Sequence, residues 1–120
     1  MSVRRVKTYT AQTGYVYEYY FVGQRPALSD DPLAPSTEFI FDVSSDRKSI
    51  FAVSVFLLPR ALENFVADRG RRLSYPEQYA AAKLRLQQGF DEVANMVKDG
   101  RRLVLESEML LTLLQSVGID

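Results

Sequence analysis

The stretch "YVYEYYF" places Tyr15, Tyr17, Tyr19, Tyr20 and Phe21 within seven residues. Successive side chains of a strand point to opposite sides, so Tyr15, Tyr17, Tyr19 and Phe21 share one face. Val16, Glu18, Tyr20 and Val22 share the other. Aromatic rings at two-residue spacing offer broad apolar area with polar tips, the chemistry of a stacking platform or a protein interface. The chain also carries three basic clusters: Arg4, Arg5 and Lys7; Arg69, Arg71 and Arg72; and Lys98, Arg101 and Arg102. The second and third follow helical patterns, where a cation meets the negative end of a helix dipole. Gathered on one face, they would bind phosphate or an acidic partner. The candidate partner or ligand surface is therefore Tyr15, Tyr17, Tyr19 and Phe21, with Arg71 and Arg72 as polar anchors at its rim.

Other chemistry is excluded by composition. The chain has no cysteine and no histidine. Disulfides, thiolate zinc sites, iron–sulfur ligation and Ser–His–Asp or Cys–His catalysis cannot be built from it. Any catalysis would fall to Asp, Glu, Lys, Tyr or Arg, so a binding protein is expected rather than an enzyme, with no cofactor. Glu38, Asp42, Asp46 and the pair Asp30–Asp31 lie close in sequence but lack EF-hand spacing, and aspartate is common in turns for its own backbone hydrogen bonds. No metal site is expected. "QRPALSDDP" lacks the glycines with which a phosphate loop cradles an anion.

"GYVYEYYF" resembles the aromatic row on which RRM-type domains stack bases. The resemblance implies a nucleic acid held by the tyrosines, with arginines on its phosphates. The sequence departs from that pattern in having Thr13 where a basic residue precedes the glycine. Its element order is not βαββαβ either. Fifteen basic residues balance 15 acidic ones, so the large basic excess of a nucleic-acid coat is missing.

The elements that would position these groups follow from period and punctuation. Val3–Ala11 and Tyr15–Val22 read as a hairpin about Gly14. Residues 24–36 carry Pro26, Pro32 and Pro35 and read as an exposed loop. "TEFIFDV" and "IFAVSVFLL" read as a second hairpin across the polar "SSDRKS". The latter strand is apolar on both faces, so it should sit centrally with a layer on each side. It is far short of the roughly 20 residues that span a bilayer.

Helices are expected after Pro59, ending at Gly70, and from Ser74, whose spacing to Glu77 suits a capping box. The second pattern runs on to Gly100, close to ~36 Å of helix, and would overhang the sheet unless it bends or meets another subunit. "RRLVLES" reads as a short edge strand, and Ser107 as the cap of a last helix ending at Gly118.

The expected fold is a single α+β domain over residues 1–120: an antiparallel four-stranded sheet in ββββααβα order, with a possible fifth edge strand and helices on one face. "MSVRRVKTYT" has no apolar stretch of a secretory signal, so a cytoplasmic protein without membrane contact is expected. The function read from these features is a non-catalytic binding domain that self-associates as a homodimer, through the tyrosine-rich face or the long helix, with a further protein partner possible. Nucleic-acid or nucleotide-phosphate binding is the second reading, and a histidine- and cysteine-free enzyme the third.

Overall fold

The computed structural model describes residues 5–28 and 34–120. Lys7–Thr10 forms β1 and Val16–Ala27 forms β2, paired antiparallel. Gly14 closes their turn at φ +94°, a backbone region that other residues enter at a cost. β2 is longer than its alternation suggests. A bulge between Phe21 and Gly23 shifts the register, after which β2 keeps pairing with β3, Ser36–Ser44, as far as Ala27 opposite Ser36. Pro26 is tolerated because β1 reaches only to Tyr19, which leaves that stretch of β2 at an edge among the described residues. The part of the expected 24–36 loop from Gln24 to Ala27, and Ser36, therefore belongs to strands instead. Asp30 and Asp31 lie outside the described residues.

The turn after β3 is held by Asp46, whose Oδ1 accepts the N–H groups of Lys48 and Ser49 at 2.9 Å each. β4, Phe51–Leu57, pairs antiparallel with β3. α1, Pro59–Arg69, begins directly after it with proline in its first turn and ends at Gly70 in the left-handed region. α2, Tyr75–Glu92, opens with the expected capping box between Ser74 and Glu77. It does not continue to Gly100. Val93 is extended (φ −100°, ψ 114°), and Asn95 caps a separate short helix α3, Met96–Asp99, its Oδ1 accepting the Lys98 N–H at 3.1 Å. Asparagine favours a cap over a helix interior because its side chain competes for backbone donors. The 18 residues of α2 span about 27 Å, so the overhang does not arise.

β5, Arg102–Leu105, is a fifth strand, and it runs parallel to β4. A parallel neighbour requires a crossover, which the three preceding helices supply. α4, Ser107–Ser116, follows at once. Its cap is Glu106 rather than the expected Ser107, whose Oγ instead accepts from Asn64 Nδ2 at 2.8 Å. The helix ends in a Schellman arrangement: Ile119 N–H donates to Leu114 O, and Gly118 N–H to Gln115 O.

The sheet order is β1-β2-β3-β4-β5. Phe39, Phe41, Val43, Val53, Val55, Leu57 and Leu105 point to one face and pack with Phe65, Leu86, Phe90, Leu110 and Leu114 of the helices. Gly89 lets β5 approach α2, since a Cβ there would lie 2.7 Å from Leu103 Cδ1. Asp91 of α2 ties down the first hairpin, accepting from Tyr9 Oη at 2.7 Å and from the Gln12 N–H at 2.9 Å. No helix of the described residues is long and apolar enough to cross a membrane.

Candidate interaction surface

The tyrosine row faces the helices. Tyr17 is buried and stacks on Phe90 of α2, with centroids 4.2 Å apart and planes 5° from parallel. Burial pushes its phenol up from the ordinary range. Tyr19 is buried beside it, edge-on to Phe41, and its hydroxyl accepts from Gln87 Nε2 at 2.9 Å. Phe21 is half-buried against Tyr79 in a T-shaped contact at 4.9 Å. Tyr15 alone of the four is open, at 57% exposure. The cover over this face is thus the chain's own α2, and Tyr17 and Tyr19 could meet a partner only if α2 lifted away.

The two arginines stand apart from that row and from each other in role. Arg71 forms a two-pronged ion pair with Glu77, both contacts at 3.0 Å, and its Nε donates to the Asp120 carbonyl at 3.0 Å. The guanidinium and the Ser74 amide together hold the Glu77 carboxyl down at about 2. Arg71 therefore ties the start of α2 to Asp120, beyond the end of α4. Arg72 is exposed and lines a groove of about 370 Å³ with Leu62, Val66, Leu73 and Gln78.

The opposite sheet face was not singled out by sequence. No helix among the described residues covers it. It presents Glu18, Tyr20, Arg25, Glu38, Ile40, Asp42, Ser54, Phe56, Arg102 and Val104, which the strand register aligns in cross-strand pairs. Glu38 is only 7% exposed. Arg25 Nε donates to its Oε1 at 2.8 Å and Ser54 Oγ to its Oε2 at 2.6 Å. The Arg25 contact holds its carboxyl below the usual range, against the burial that pushes it up. Arg102 lies 4.5 Å over the Phe56 ring, a cation–π contact that shields the one aromatic of β4 on this side. Tyr20 donates to Asp42 at 2.7 Å, and Arg47 pairs with Glu18 at 2.8 Å. Between these pairs Val22 is 47% exposed, Val16 42% and Val104 39%.

The acidic residues weighed as metal ligands have other tasks: Glu38 holds Arg25, Asp42 accepts from Tyr20, and Asp46 builds its turn. The signal for the open face was in the sequence, in the out-of-phase residues of "TEFIFDV" and "FAVSVFL", whose partners across strands it could not supply. Compared with known proteins, the chain matches no family model, no curated protein and no solved structure.

Proposed function

We propose that the protein is a non-catalytic, cytosolic interaction domain that forms a homodimer through the open face of its sheet. The observation that carries this reading is one uncovered sheet face whose buried polar groups are already paired within the chain. Burying an unpaired charge in an interface is costly, whereas Glu38 has already been desolvated and bonded in the monomer. Glu18, Glu38 and Asp42 balance Arg25, Arg47 and Arg102, so the face has no net sign with which to select a charged partner. The whole chain is also neutral, so two copies do not repel at long range. The strands outline roughly 550 Å² of plan area per copy from their lengths and spacing. Two copies bury about 1,100 Å² in that way, enough for a specific interface.

Self-association is thereby moved from the tyrosine-rich face to the other side of the same strand. The stacking alternative would need Tyr17 and Tyr19 open to bases, and their burial against α2 disfavours it. The test is sedimentation velocity over a dilution series of the native chain and of Val22→Glu and Val104→Glu. These positions are exposed, so the variants keep the fold. The expected result is a concentration-dependent dimer that both substitutions abolish. A monomer at every concentration would end the proposal.

A further inference from the structure

On the helical side, α1 and α4 begin next to each other and α2 passes beside them, framing a cleft of about 530 Å³. Its apolar lining includes Leu58, Met109 and Leu113, and its polar lining includes Arg60, Gln88, Glu106, Ser107 and Glu108. That volume lies within the roughly 300–1,000 Å³ usual for small-molecule sites.

The polar groups are set by neighbours that do not line the cleft. Arg85 holds its position by donating Nε–H to Val104 O at 2.9 Å, and its Nη1 donates to Gln88 Oε1 at 3.2 Å. The Gln88 carbonyl is thus engaged, and its amide N–H groups remain to be given. Asn64 occupies an acceptor lone pair of Ser107, which leaves the hydroxyl proton as a donor. Arg60, Glu106 and Glu108 are exposed, and among the described residues none of these side chains is in an ion pair. Glu18, Glu38 and Glu77, by contrast, each have an arginine within 3.0 Å. The cleft therefore offers preset donors, one cation and two carboxylates outside any ion pair among the described residues, with Glu106 also in the field of Arg85, and an apolar bed between.

We propose that this cleft binds a small zwitterion with an apolar side chain, of the α-amino-acid class. Arg60, Gln88 and Ser107 receive the carboxylate, Glu106 and Glu108 the ammonium, and Leu58, Met109 and Leu113 the side chain. A neutral apolar ligand would leave both kinds of charge unmet, and a simple anion would face two carboxylates.

The experiment is calorimetric titration of the full chain with L-leucine, N-acetyl-L-leucine and L-leucinamide, repeated on Arg60→Ala and Glu106→Gln. Leucine is expected to bind saturably in the millimolar range, and removal of either charge by capping to weaken it about tenfold or more. Arg60→Ala should weaken leucine while leaving leucinamide unchanged, and Glu106→Gln should weaken leucine while leaving N-acetyl-leucine unchanged. Absence of leucine binding, equal binding of the capped forms, or insensitivity to both variants overturns the proposal. Binding by Val22→Glu, a substitution outside the cleft, should equal that of the native chain, which keeps this result separate from the fate of the dimer.

Discussion

Tyr17→Ala separates a core role from an interface role for the tyrosine row. The side chain is 3% exposed, with its ring stacked 4.2 Å from Phe90. An aromatic side chain buries roughly 150–250 Å², which at about 25 cal/mol per Å² is worth some 4–6 kcal/mol. Part of that area is already buried in a realistic unfolded chain, so a loss of about 4 kcal/mol is expected, in line with other buried aromatics cut to alanine. Equilibrium urea unfolding followed by circular dichroism, in dilute protein, measures it. With a slope of roughly 1.5 kcal/mol per M, the midpoint should fall by about 2–3 M. Tyr17→Phe keeps the ring and should lose less than about 1 kcal/mol. If Tyr17→Ala instead cost under about 1 kcal/mol and abolished association, the tyrosine face would be the interface and not part of the core.

Three further outcomes follow. Tyr9, hydrogen-bonded to the Asp91 carboxylate, has its phenol pushed up to about 12 from 10.0. A raised folded value gives stability that is present below pH 10 and lost as pH rises toward 12, so Tyr9→Phe should flatten part of the alkaline fall in urea midpoint. Buried Tyr17 and half-buried Tyr79, also shifted upward, keep the rest. Glu77 is held at about 2 against an ordinary 4.5, so its contribution is present above pH 4.5 and lost toward pH 2; Arg71→Ala should move that loss upward in an acid titration followed by circular dichroism. Ser74→Ala removes the side-chain half of the capping box and should cost about 1 kcal/mol in urea unfolding without altering sedimentation.

Much of the fold was legible because local rules and tertiary packing agree. The alternation Phe39–Phe41–Val43 faces inward as read, Gly70 stops α1, and Ser74 with Glu77 caps α2. Where they disagree, the structure departs. The helical period through Val93 and Val97 persists in sequence, yet Asn95 takes the chain out of the helix to cap α3. Pro26 suggested a loop, but an edge position tolerates the missing amide. β4 looked as though it needed cover on both faces; helices supply one, and on the other Arg102 lies over Phe56. That contact, like Arg25–Glu38–Ser54, joins residues on different strands. One chain read linearly gives the phase of each strand, whereas register decides which phases meet.

The most direct test of the open-face dimer is an isotope-filtered nuclear Overhauser experiment on a mixture of labelled and unlabelled chains. Intermolecular contacts are expected among the methyl groups of Val22, Ile40 and Val104. Intermolecular contacts confined to the helices, or none in a sample whose mass is twice the 13.7 kDa of one chain, would contradict it.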